Sequence, residues 1–74
     1  MRAADYLAEA KTHLRSGKRS RDPRIKVFEL VEAVAIARLS SSKAGFDGAK
    51  IRSDAGHVEY QAREALCLLI PVAE

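Results

Sequence analysis

The sequence predicts an all-α fold, in which a short N-terminal helix precedes a long antiparallel αα-hairpin and two copies assemble as a homodimer. Apolar residues recur with helical spacing in three separate segments, and each segment is bounded by residues that start or stop helices. A chain of 74 residues also buries too little surface to be more than marginally stable alone. We treat residues 1–74 as a single helical domain, and a partner chain as its most plausible source of added stability.

The first predicted helix covers residues 2–16, and Gly17 is expected to end it. One stripe of this helix is apolar and consists of Ala3, Tyr6, Leu7, Ala10 and Leu14. Since a helix of about four turns is marginal in water, we expect the stripe to dock on the rest of the protein.

The second predicted helix covers residues 23–44 and is the centre of the expected fold. Asp22 is placed to cap its N-terminus, Pro23 suits the first helical position, and Gly45 suits a left-handed C-terminal cap followed by the apolar Phe46. An apolar arc of about half the circumference is expected to face the core, and it comprises Val27, Phe28, Leu30, Val31, Val34, Ala35 and Leu39. The opposite, outer side is expected to carry Lys26, Glu29, Glu32 and Ser40.

The third predicted helix has two possible starts. Its stripe is regular and consists of Ile51, Ala55, Val58, Ala62, Ala65 and Leu69. Asp47 as N-cap gives a helix over residues 47–70, whereas the glycines at 48 and 56 favour a later start and a helix over 54–70. Pro71 stops the helix in both cases.

Several apolar residues lie off these stripes and support the homodimer. They are Tyr60, Cys67 and Leu68 on the third helix, with Ile25 and Ile36 at the edges of the arc on the second. Leftover apolar surface on a marginal domain favours self-association about a twofold axis.

Positive charge is concentrated around the predicted connector, residues 17–21. The candidate anion-binding or partner-binding residues are Arg15, Lys18, Arg19, Arg21, Arg24 and Lys26. With Asp22 as the one acid among them, this segment carries a net charge of +5, and the rest of the chain carries −2. Crowded cations favour an anionic partner, although a solvated loop that only aids solubility is the alternative.

The leading functional hypothesis is a small non-enzymatic binding protein that inhibits or regulates another macromolecule through this basic connector and the hairpin surface. The expected partner is a protein with an acidic surface. One alternative is a nucleotide, or another phosphate-bearing small molecule, bound at a subunit interface with Tyr6 or Tyr60 stacked on its base. The other alternative is nucleic acid bound without sequence specificity, although no aromatic residue is interleaved with the basic ones.

The sequence offers little for catalysis, cofactors or membranes. It contains no GxSxG, HExxH or glycine-rich phosphate-binding motif, and a single Cys67 with two histidines does not form a zinc-binding pattern. We therefore expect no catalytic residue, no metal and no cofactor. His13 and His57 are interpreted as surface or interface histidines. Without a signal peptide or a long apolar span, the expected location is the cytoplasm, with no membrane partner.

Overall fold

The computed structural model describes residues 2–45 and 48–69, and it confirms the all-α prediction. Helix α1 spans Ala3–Arg19, α2 spans Pro23–Ala44 and α3 spans Ala49–Leu69, with no strand among the described residues. Both α1 and α3 pack mainly on α2 and contact each other much less. The result is a flattened arrangement around a central α2, with Cα extents of 41 × 25 × 13 Å.

The interface between α1 and α2 is built for close approach. Gly17 is buried, and a Cβ atom added to it would lie 2.8 Å from both Cγ and Cδ2 of Leu30, which is fully buried. Ala10 and Ala33 are also fully buried in the same core. The axes of packed helices usually lie about 8–10 Å apart, and small residues at the contact allow distances near the lower value.

This packing explains why α1 is longer than predicted. The expected helix over residues 2–16 extends to Arg19, and the connector shrinks from residues 17–21 to 20–22. Gly17 does not end the helix because its missing side chain serves the contact with Leu30. The cost of glycine within a helix, about 1 kcal/mol relative to alanine, is offset there by tertiary packing.

Helix α2 has the predicted bounds, but it turns a different side to its neighbours. The residues it buries are Leu30, Ala33, Ile36, Ala37 and Ser40. Of the arc expected to face the core, only Leu30 is buried and Val34 partly buried. The exposed remainder comprises Val27, Phe28, Val31, Ala35 and Leu39. The face assignment was therefore wrong, because α2 is apolar on two sides and periodicity alone does not say which side meets α1 and α3.

Two polar residues expected on the outer side of α2 instead face α1. The Ser40 side chain is fully buried, and its hydroxyl donates to the Ala3 carbonyl at 2.8 Å. A carboxylate oxygen of Glu29 lies 2.6 Å from Nδ1 of His13, and both side chains are about one quarter exposed or less. Serine tolerates this position because its hydroxyl is small and its hydrogen bond is satisfied. His13 is thus an interface histidine, as expected.

Helix α3 uses the predicted stripe. Ala55, Val58 and Ala62 are buried, and Ile51, Ala65 and Leu69 pack partly buried against the same core. Helix α3 begins at Ala49, so the later start, with a helix over residues 54–70, is wrong. Asp47, Phe46, Ile70 and Pro71, on which the other boundary predictions rest, lie outside the described residues. The contacts of α3 with α2, including Arg38 Nε to Glu59 Oε1 at 3.1 Å, fit an antiparallel hairpin.

Gly45 ends α2 with the positive φ that the sequence predicts. Its φ and ψ are +65° and −163°, a combination outside the left-handed helical region and available essentially to glycine alone. The left-handed cap expected here is therefore replaced by a more extended turn.

Two glycine substitutions should have opposite effects on stability. Gly56 lies within α3 with open space where a methyl group would extend, so Gly56→Ala should raise the free energy of unfolding by about 0.5–1 kcal/mol. Gly17→Ala carries the same gain in helix propensity, but the clash with Leu30 should outweigh it and destabilise the protein by about 1–2 kcal/mol. Thermal unfolding followed by circular dichroism measures both. Equal stabilisation by the two variants would contradict the close contact of α1 with α2.

Candidate functional site

The turn between α1 and α2 brings the basic residues together. Asp22 caps α2, since its Oδ1 accepts from the backbone N–H of Arg24 at 2.9 Å, and Pro23 follows at the first helical position. The Ser20 N–H donates to the Ser16 carbonyl at 3.0 Å and closes the end of α1. Lys18 and Arg19 therefore lie on a helical turn, and a three-residue connection separates them from α2.

Lys26 has a structural role in this turn. Its Nζ donates to the carbonyl of Lys18 at 3.1 Å and to that of Ser20 at 3.4 Å, and the side chain is partly buried. A cation suits the negative end of the α1 dipole and satisfies carbonyls that have no partner within the helix. Of the six residues predicted to bind an anion, Lys26 is thus the one engaged within the fold.

The other five cations of the prediction are exposed, namely Arg15, Lys18, Arg19, Arg21 and Arg24. Within the described residues, none of them lies within ion-pairing distance of a carboxylate. Among the described residues, the ion pairs join Arg38 and Arg63 to Glu59, and the Glu29 carboxylate contacts the His13 ring. Asp22, the one acid of the turn, is used as a helix cap.

The basic residues continue into a groove between α1 and α3. Lys11, Arg15 and Lys18 lie along its α1 side with spacings of four and three residues, so they share one face of the helix. The groove is open and holds about 400 Å³. Its remaining lining is apolar from Leu14 and Val58 and polar from Asp54, His57 and Gln61.

The α3 side of this groove offers hydrogen-bonding groups. Nε2 of Gln61 lies 3.0 Å from Nε2 of His57, and since an amide nitrogen only donates, His57 accepts in this contact. The pair is exposed. A ligand in the groove would meet cations on the α1 side, and an amide, an imidazole and the Asp54 carboxylate on the α3 side, above an apolar floor.

We call the exposed cations at the turn and along the groove the basic surface: Lys11, Arg15, Lys18, Arg19, Arg21 and Arg24. Sequence reasoning missed Lys11, His57 and Gln61 as members of this region. The spacing of Lys11, Arg15 and Lys18 on α1 was a usable signal for the first. The approach of α3 to α1 brings the other two near, and no pattern in α3 itself indicates that contact.

The two tyrosines proposed for stacking lie apart from the groove lining. Tyr6 is partly buried against the core, whereas Tyr60 is 65% exposed on the outer side of α3. A stacking role for either one stays a prediction.

Metal-ligand clusters and membrane-spanning helices are both absent from the part of the chain that the structure describes. Across residues 2–45 and 48–69, no three His, Cys, Asp or Glu side chains are grouped so that they could hold a metal ion. None of the described helices has the length and apolar character needed to cross a membrane. No family model, curated protein or solved structure matches this chain.

The structural role of Lys26 can be separated from a binding role. Lys26→Met keeps the aliphatic stem but removes the contact with the α1 carbonyls, so it should lower the free energy of unfolding by about 0.5–1 kcal/mol. Arg21→Met, at an exposed position of the same turn, should change it by no more than about 0.5 kcal/mol. Chemical denaturation of the two variants checks this, and equal stabilities would remove the capping role from Lys26.

Proposed function

We propose that this protein is a non-enzymatic helical binding protein, assembled as a homodimer, that regulates or inhibits another macromolecule by binding an acidic surface through its basic surface. The observation that carries the proposal is the clustering of exposed cations without carboxylate partners among the described residues. A macromolecule with acidic groups is the partner whose chemistry answers this charge.

The position of the cations favours binding over a purely solubilising role. Lys18 and Arg19 lie in the last turn of α1, where the helix dipole stabilises positive charge, but Arg24 lies in the first turn of α2, where the dipole disfavours it. Fold stability therefore does not account for Arg24. The Arg24 side chain adds positive charge to the turn that holds Arg19 and Arg21. An anionic partner would offset the unfavourable interaction of this charge with the α2 dipole.

The groove favours a partner with some apolar surface. Leu14 and Val58 form an apolar floor between the cations of α1 and the polar groups of α3. An acidic segment of a protein that also carries apolar side chains would use both features. Free phosphate or a bare polyanion would use only the charges.

A nucleotide is the second candidate, and the size of the groove favours it. Small-molecule sites are commonly about 300–1,000 Å³, and the groove falls at the lower end of that range. In a nucleotide complex, Arg15 and Lys18 would meet the phosphate, and His57 with Gln61 would meet the base or sugar. Since neither tyrosine lines the groove, this candidate lacks an aromatic stacking partner there.

The homodimer in this proposal is supported by the apolar residues that the chain leaves exposed. Phe28, Val31 and Leu39 of α2 are each about half exposed. Two copies that cover part of this surface would be more stable than the separate chains.

Charge reversal at the turn tests the proposed function. Arg19→Glu combined with Arg21→Glu should weaken partner binding at least tenfold, about 1.4 kcal/mol, while leaving the fold intact. The matched control combines Lys43→Glu with Lys50→Glu, which changes the net charge equally at the opposite end of α2. Lys43, like Arg19, lies in the last turn of a helix, so replacing either of these two residues by glutamate has a similar dipole cost.

The readout has two steps. Immobilised parent protein first captures proteins from a nuclease-treated lysate of the source organism. Binding of a captured protein to the parent and to each double variant is then measured. Fluorescence titrations with ATP and with single-stranded DNA test the other two candidates. Binding of DNA should fall by decades between low and moderate salt, whereas a partly apolar protein contact should change much less. Equal partner binding by both double variants would refute a binding role for the turn.

A further inference from the structure

The central helix α2 is apolar on two opposite sides. One side packs on α1 and α3 through Leu30, Ala33 and Ala37, among others. The other side carries what we call the outer stripe of α2: Val27, Phe28, Val31, Ala35 and Leu39. Phe28, Val31, Ala35 and Leu39 are spaced three, four and four residues apart, the spacing of a helix face that packs on another helix.

None of the described residues covers the outer stripe. Phe28 is 59% exposed, Val31 48% and Leu39 46%. These residues form a continuous row over three turns of the helix. Single exposed apolar residues are common on monomers, whereas a continuous row of them is not. The widest apolar face of α2 is thus free for a partner.

The thin core of the chain favours a second copy as the partner. A chain of 8.1 kDa buries only about 60% of its unfolded surface and is marginally stable alone. Among the described residues, Leu30 is the one large apolar side chain that is fully buried, whereas Phe28, Val31 and Leu39 are each about half exposed. A homodimer interface is the more apolar class of interface, and it would stabilise both chains by covering this surface.

We propose that the outer stripe of α2 is the dimer interface, where a second copy packs its own α2 antiparallel to the first about a twofold axis. This inference rests on the homodimer of the proposed function and names the surface that forms it. The exposed residues of α3, Tyr60 and Leu68, lie outside this interface.

Charge selects the antiparallel arrangement. In a parallel pair the two turns between α1 and α2 would lie side by side, and the exposed Arg19, Arg21 and Arg24 of both copies would repel. In an antiparallel pair each turn lies near the C-terminal end of the partner helix, where the dipole is negative. That end carries Lys43 and, at the start of α3, Lys50, which are fewer cations than a second turn would bring. The two turns are then separated by about the length of α2, roughly 33 Å for 22 residues, which exceeds the Debye length in physiological salt.

The stripe also suggests where the two helices cross. Phe28 and Leu39 mark its ends, so the twofold axis passes near its middle, close to Ala35. A small residue at the crossing point permits close contact of the two helices. Each Phe28 then packs near Leu39 of the second copy.

Oligomer mass with matched variants tests the interface. The parent protein should sediment at tens of micromolar with twice the 8.1 kDa of one chain. Val31→Glu introduces a carboxylate at a position that is half exposed in the single chain, so it should leave the helices folded but raise the dimer dissociation constant at least 100-fold. Leu68→Glu, at an 84% exposed position of α3, should leave the dimer unchanged.

Disulfide cross-linking tests the antiparallel arrangement. With Cys67 replaced by serine, Ala35→Cys should form a disulfide between copies, because both residues lie close to the axis. Ser42→Cys lies on the same side of α2 about 13 Å from the axis by helical rise, too far from its counterpart for a disulfide. Self-cross-linking of Ser42→Cys would overturn the antiparallel arrangement.

The α2 interface, the homodimer and partner binding give different experimental results when each one fails. A dimer that survives Val31→Glu but dissociates with Leu68→Glu would keep the homodimer and overturn the α2 interface. A monomeric parent protein would overturn both the interface and the homodimer, while partner binding through the basic surface would be judged by its own charge-reversal variants.

Discussion

The fold depends on the close contact between α1 and α2 at Gly17. Because glycine at this position lets Leu30 pack against the backbone of α1, the two helices stay in contact to their connected ends. Two consequences reach the basic surface. Helix α1 continues through Lys18 and Arg19, which gives these cations a helical scaffold, and Lys26 comes within reach of the α1 carbonyls that it caps. The geometry of the candidate site is thus set by a contact in the core.

The same packing mode leaves the single chain short of buried apolar surface. Alanine, glycine and serine fill most of the central contacts, and Leu30 is the one large apolar side chain that is fully enclosed among the described residues. Small residues bring helices close together, but each buries little area, and the area buried largely determines hydrophobic stabilisation. The large apolar side chains Phe28, Val31 and Leu39 lie on the opposite side of α2. This distribution of large apolar side chains is expected for a chain that encloses few of them in its own core and makes its larger apolar contact with another chain.

This distribution also explains which predictions from the sequence were correct. The stripes of α1 and α3 were identified because the buried residues of each helix follow one regular helical spacing, and Ala55, Val58 and Ala62 are buried as expected. The core side of α2 was misassigned because the larger residues dominate the periodicity, while Ala33, Ala37 and Ser40 make the internal contacts. Hydrophobic periodicity identifies a face that favours burial, and it does not distinguish burial within a chain from burial between chains. Ser40 could not have been predicted as a core residue, since its position depends on the carbonyl of Ala3 being within reach.

The candidate site was predictable to the extent that it is continuous in sequence. The cluster from Arg15 to Arg24 follows directly from composition, but its extension along the groove depends on how α3 approaches α1. Gly17 shows why such approaches are hard to infer: the residue type that stops many helices is also the type that allows the closest helix packing, and only the position of Leu30 decides between the two roles.

A dimer formed through α2 would carry two basic surfaces. An antiparallel pair of α2 helices would place one basic surface at each end of the dimer, roughly 33 Å apart by the length of α2. A partner with two acidic sites at that spacing could engage both, and the second contact would then form at a high effective concentration. A partner with one such site would instead leave one end of the dimer free. Dimerisation would therefore affect the apparent affinity for an extended or repetitive partner, although the interface and the basic surface share no residue.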